Sequence, residues 1–252
     1  MRRCAVTVLL ALLVSGCAGS DAGASGEAGG TVTVLAAASL SEAFTVLGER
    51  FEGEHPGTRV RLSFAASSEL ATQATQGAPA DVFAAAAPEP MEGVVAAGAV
   101  RGEPTVFARN RLQLVVPAGN PGGVRGLADL SRPELDVALC APDVPCGAAA
   151  RQVFAAAGLT PAPDTLEADA KATLTKVALG EVDAALVYRT DVLAAGSAVQ
   201  GLPTPEAAGV VNDYPVAVLA AAPNPAAARD FVALVLSARG RSVLADAGFE
   251  LP

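Results

Sequence analysis

Two serines stand where this chain could hold an anion. Ser39 follows the alternating, β-branched run Thr31-Val32-Thr33-Val34-Leu35 and precedes Leu40, Phe44, Leu47 and Phe51, which recur at helical spacing. It therefore sits at a strand-to-helix turn, in the N-cap position, and Glu42 three residues on completes a capping-box pattern. Ser67 repeats the arrangement: residues 59–64 read as a strand, and Ala65-Ala66-Ser67-Ser68 turns into a helix carrying Leu70 and Ala74. A helix opening at the carboxyl end of a strand points free N–H groups outward, the geometry of an anion site. The plainer reading of each serine is a cap for its own helix. The repetition favours the anion.

A hydrolase would need a base beside such a serine. The one histidine, His55, lies in the turn His55-Pro56-Gly57 and reads as surface, and no Gly-x-Ser-x-Gly elbow occurs, so the chain is not expected to be an enzyme. The net charge is −9 and the isoelectric point about 4.6, which leaves no clustered basic surface for nucleic acid. Anion affinity must then come from local dipoles, because the overall field is repulsive. With 252 residues, 52% of them hydrophobic, the chain can hold one large domain or two smaller ones.

The N-terminus reads as an export signal over residues 1–16: Arg2 and Arg3, an apolar core over 5–14 too short to span a membrane, then Ser15 and Gly16. Val14-Ser15-Gly16-Cys17 resembles a bacterial lipobox, which implies cleavage before Cys17 and lipid attachment to it. Residues 17–30 are then a lipidated cysteine and a flexible tether without apolar periodicity. Cys4 goes with the signal. Cys140 and Cys146 face an oxidising compartment, six residues apart, and are expected to form a disulfide, with two free thiols as the alternative. No second Cys or His pair accompanies them, which argues against a metal site.

From residue 31 onward, short β-rich runs alternate with helical patterns, the signature of α/β architecture with largely parallel sheets. Strands are expected at 81–85, 112–117, 135–139, 183–188 and 214–219. Helices are expected at 88–97, 148–157, from 168 onward with Asp169 as N-cap, 226–237 and 240–247. The turn-rich run Ala118-Gly119-Asn120-Pro121-Gly122-Gly123 reads as a crossing between domains, and residues 214–219 as the crossing back.

In order along the chain stand Ala36-Ala37-Ala38-Ser39-Leu40, Phe64-Ala65-Ala66-Ser67-Ser68-Glu69-Leu70, Gly77-Ala78-Pro79-Ala80-Asp81-Val82-Phe83, Val144-Pro145-Cys146-Gly147, Asp169-Ala170-Lys171, Ala185-Leu186-Val187-Tyr188 and Tyr214-Pro215-Val216-Ala217-Val218. Each motif is weak alone. As an ordered set over residues 31–252, the chain resembles the molybdate-binding proteins of bacterial ABC importers, within the type II periplasmic-binding-protein fold. The resemblance implies two lobes, 31–113 with 215–252 and 114–214, each a mostly parallel sheet flanked by helices, joined by two crossover strands. It implies a tetrahedral oxyanion held between the lobes by neutral donors: Ser39 and Ser67 from the first, the backbone N–H groups of Cys146 and Ala170 and the phenol of Tyr188 from the second. No side chain would ligate the metal itself, no cofactor is implied, and Glu69 is expected to face solvent.

The function so implied is capture of molybdate or tungstate outside the cell and delivery to a membrane permease. The chain would act as a monomer anchored by lipid at the outer face of the cytoplasmic membrane, or in the periplasm. A sulfate or phosphate binder is the rival specificity. Iron-binding relatives of the fold use adjacent tyrosines, whereas Tyr188 and Tyr214 are separated. A lipoprotein acting as an interaction module would leave the ordered motifs unexplained.

Overall fold

The computed structural model describes residues 30–252. The expected export signal, Cys4, Cys17 and the expected tether up to residue 29 lie outside them. The first part of the chain runs β1 (Thr31–Ala37), α1 (Ser41–Glu54), β2 (Arg59–Ala65), α2 (Ser67–Thr75), β3 (Val82–Ala84), α3 (Pro88–Ala96) and β4 (Val100–Asn110). The middle runs β5 (Leu112–Pro117), β6 (Val137–Cys140), α4 (Pro145–Ala157), β7 (Thr165–Glu167), α5 (Ala170–Ala178), β8 (Ala184–Tyr188), α6 (Arg189–Ala195) and β9 (Val199–Leu202). The chain closes with β10 (Asn212–Leu219), α7 (Pro225–Leu236) and α8 (Ala238–Asp246).

Two five-stranded sheets result, ordered β2-β1-β3-β10-β4 and β7-β6-β8-β5-β9. The inner strands β6 and β8 are buried along their whole length, as expected of apolar runs covered on both faces. Each sheet is mixed rather than mostly parallel. Parallel pairs β1·β2 and β1·β3 stand beside antiparallel β10·β3 and β10·β4, and parallel β6·β7 and β6·β8 beside antiparallel β5·β8 and β5·β9. The antiparallel pairs are those made by β5 and β10, the strands by which the chain enters each sheet from the other.

The first passage between sheets falls at Arg111, between β4 and β5, and the second between β9 and β10. The glycine-rich turn at 118–123 follows β5 and so lies within the second body, a correction to its reading as a crossing. Strands β4, β7 and β9 are additional to the expected ones. β4 is an edge strand carrying Gly102 and Pro104, tolerable only at an edge, and its exposed half alternates too irregularly to read as a strand. Phe44 and Phe51 of α1 pack against Phe231 of α7, ring centroids 6.0 and 5.5 Å apart, and Phe44 lies 5.7 Å from Phe107 of β4. This cluster fastens the returning C-terminal segment to the first body.

Candidate functional site

Four helical segments begin at one place. A single turn of 3-10 helix at Ala38–Leu40 follows β1, α2 starts at Ser67 after β2, α4 starts beside the Cys146 loop after β6, and α5 starts at Ala170 after β7. All five residues expected to hold the anion line one cavity of about 20 Å³: Ser39, Ser67, Cys146, Ala170 and Tyr188, with Ala38, Ala66 and Ala86 between them. All five are buried, none more than 4% exposed. A water needs about 10–15 Å³ measured this way, so the space is on the scale of one small ion.

Their local roles differ from simple capping. Ser39 is not the N-cap of α1: the 3-10 turn intervenes, Leu40 takes that position, and no side chain caps the helix. The capping box is absent: with Leu40 as N-cap, Glu42 is only the second helical residue, and its carboxylate accepts from Lys171. Ser39 Oγ instead lies 2.9 Å from the phenol oxygen of Tyr214. Ser67 is the first residue of α2, and its Oγ accepts the N–H of Ala86 at 2.9 Å. Neither hydroxyl serves its own helix. Cys146 and Ala170 lie in the first turns of α4 and α5, where backbone N–H groups have no intrahelical acceptor. Tyr188 ends β8, fully buried, and its oxygen accepts from Asn212 Nδ2 at 3.1 Å.

The lining carries one charged residue, and it is turned away: the Asp169 carboxylate caps α5 by accepting the Ala172 N–H at 2.9 Å. Glu69 is exposed and accepts from Gln73. His55 stacks on Phe51, with centroids 4.0 Å apart, and does not line the cavity. Among the described residues, no group of three or more His, Cys, Asp or Glu could hold a metal ion. The Cys140 and Cys146 sulfurs are joined, with Cα atoms 5.8 Å apart, so the loop before α4 is closed on β6.

Beside the cavity lies a charged triad absent from the sequence reading. Lys171 Nζ is 2.5 Å from Glu42 of α1 and 3.5 Å from Oδ1 of Asp191 in α6, so it links the two bodies. At 3.5 Å it offers Asp191 charge compensation without a hydrogen bond, and Oδ1 is left unpartnered. Burial pushes Asp191 up to about 7, with Lys171 opposing and Glu42 adding to the rise. Burial also raises Glu42, but the Lys171 bond and charge more than offset it and hold Glu42 below the usual range. Tyr214 was equally missed as a site residue; the signal was a lone phenol in an apolar strand, which needs a hydrogen-bond partner once buried.

The family model for bacterial extracellular solute-binding proteins matches residues 32–250. The chain belongs to that family. It is thus a solute-binding protein, in a family that does not comprise enzymes. This solute-binding protein is 48% identical over 249 residues to the molybdate-binding protein ModA of Mycobacterium tuberculosis, covering 96% of this chain and 95% of that one. Among solved structures, the periplasmic molybdate-binding protein of Azotobacter vinelandii superposes with a TM-score of 0.74 at 21% identity, over 88% of this chain and 99% of the other. The sulfate-binding protein SubI of Mycobacterium tuberculosis gives 0.75 at 20% identity, over 88% and 86%. At such identities the two structures speak for the fold alone.

Proposed function

We propose that the protein captures molybdate, or tungstate, between its two bodies and delivers it to the permease of an ABC importer. The observation that carries this reading is the convergence of Ser39, Ser67, Tyr188 and the amides of Cys146 and Ala170 on one small cavity with no cation in its lining. A buried dianion must have its lost water partners replaced. Hydrogen bonds to a charged group contribute roughly 1.5–3 kcal/mol each, and several, backed by helix N-terminal dipoles, offset that desolvation without lysine or arginine. The 48% identity to a molybdate-binding protein supports the choice of ion.

In the same reading, the lobes are the bodies built on the two sheets. Cys17 carries the lipid that holds a monomeric protein outside the cytoplasmic membrane, and the Cys140–Cys146 bridge keeps the Cys146 amide aimed at the ligand. Thiol titration of the denatured, unreduced protein is expected to find neither of these two cysteines free. The deciding experiment is calorimetric titration of the exported chain with molybdate, tungstate, sulfate and phosphate. Micromolar or tighter binding of a group-six oxyanion is expected. Sulfate binding in its place would shift the assignment to another tetrahedral oxyanion.

A further inference from the structure

Glu42, Lys171 and Asp191 each stand directly behind a residue that lines the cavity. Glu42 comes three residues after Ser39, Lys171 follows Ala170, and Asp191 comes three residues after Tyr188. Lys171 and Asp191 belong to the second body, where α5 packs on α6, and Glu42 belongs to the first. Lys171 donates to Glu42 and only approaches Asp191, whose side chain is fully buried and whose Oδ1 has no hydrogen-bond partner. The other oxygen, Oδ2, accepts the Tyr188 N–H at 3.3 Å.

Little else around Asp191 could balance a charge. Helix α6 packs on α5, β5, β8 and β9. Of these, α5 brings Lys171, β8 brings the Tyr188 phenol, and β5 and β9 bring no ionisable side chain. Arg189, at the start of α6, is exposed. Across from α6 the first body presents Glu42, the Tyr214 phenol and Asp246 of α8, and Glu42 and Asp246 wall a cleft of about 150 Å³ with Thr190 and Leu193. Burial raises both phenols, so neither carries a charge.

Closed around a dianion, the site sets the ion, Glu42 and Asp191 against one cation. A buried carboxylate so placed is more stable neutral. Accordingly, burial pushes Asp191 up to about 7 against the opposing Lys171, with Glu42 adding to the rise. When two such bodies part, Glu42 leaves with the first, Lys171 is free to pair with Asp191, and water reaches the carboxylate. Each of these changes favours the ionised form.

We propose that Asp191 couples capture of the ion to uptake of a proton: its carboxylate is ionised while the bodies are apart and takes a hydrogen as they close on the ligand. Asp191 does not line the cavity, so it acts as a positioning residue. This rests on the oxyanion reading above and adds to it the group that makes binding depend on pH. By linkage, binding is tighter on the acid side, and release is favoured as pH rises. From about 7 in the closed form and an ordinary carboxylate value of about 3.9 in the open one, affinity falls about tenfold between about pH 6 and about pH 8.

The test is calorimetric titration of the exported chain with molybdate across that range, where the ion itself carries no hydrogen, in pairs of buffers with different heats of ionisation. Wild type is expected to lose about tenfold in affinity and, near pH 7, to take up about half a proton or more per ion bound. In Asp191→Asn the uptake vanishes and the affinity is level across the range. Glu42→Gln removes an anion that raises Asp191, so the dependence moves to lower pH; this variant decides the matter should Asp191→Asn fail to fold. His55→Gln is expected to keep the wild-type behaviour. If Asp191 merely caps α6, Asp191→Asn shifts affinity alike at every pH and the dependence persists. That persistence overturns the proposal, as does a wild-type dependence retained in Glu42→Gln, or a wild type whose affinity is level and whose binding moves no proton. A wild type that binds no molybdate overturns the function reading itself, a separate result.

Discussion

The Ser39 hydroxyl meets the phenol of Tyr214 and not the helix that follows it. The place of Ser39 at the end of a strand, at the mouth of a helix, was legible from Thr31 to Phe51, and the structure puts it in the lining of the cavity. Its hydrogen bonding was not legible, because the partner Tyr214 lies 175 residues away and nothing local announces it. If Ser39 and Ser67 donate to the ligand, Ser39→Ala and Ser67→Ala each weaken molybdate binding by roughly 1–3 kcal/mol, measured by calorimetry. Asp191 makes a second prediction at this scale. Its folded pKa of about 7 lies above the unfolded value of about 3.9, so the folded protein binds more protons between them and stability falls as pH rises from about 4 to about 7. Above that the penalty is complete, of the order of 4 kcal/mol at about 1.4 kcal/mol per unit. Asp191→Asn is expected to flatten this part of the curve of unfolding free energy against pH.

At the scale of elements, β1, β2 and β6 were readable because each is a short β-rich run followed by a helical pattern, whereas β7, three residues long, was not. The N-cap at Asp169 was readable from the helical pattern that follows it. What could not be read was the direction in which β5 and β10 enter their sheets, which is a property of the whole chain path. The start of α4 illustrates how tightly an element is placed: a Cβ on Gly147 would lie 1.8 Å from the Ala141 carbonyl oxygen and 2.8 Å from that of Cys140. Backbone cannot yield there as a side chain can. Gly147→Ala is therefore expected to push the helix start off the cavity, lowering stability by roughly 1–3 kcal/mol in thermal unfolding. Molybdate affinity should fall with it, because the Cys146 amide moves too. A neighbouring change such as Ala148→Gly should not move that amide.

The two bodies meet around the cavity, and the ion pair Lys171–Glu42 spans them beside it. Both side chains are partly exposed, so the pair contributes little, within the roughly 0.2–1 kcal/mol usual for such bridges. Glu42→Gln is expected to speed ligand release only severalfold, and added salt should reproduce the effect in wild type. A large change would mean that the pair holds the bodies closed. Asn212 makes a second link, donating from one amide to the Ala86 carbonyl and the Tyr188 oxygen. The chain has no tryptophan and two tyrosines, and both, Tyr188 and Tyr214, are buried at the site with ring centroids 5.9 Å apart. Its tyrosine emission is therefore a recording of that one spot, and arrival of an ion can be followed optically in the unlabelled protein.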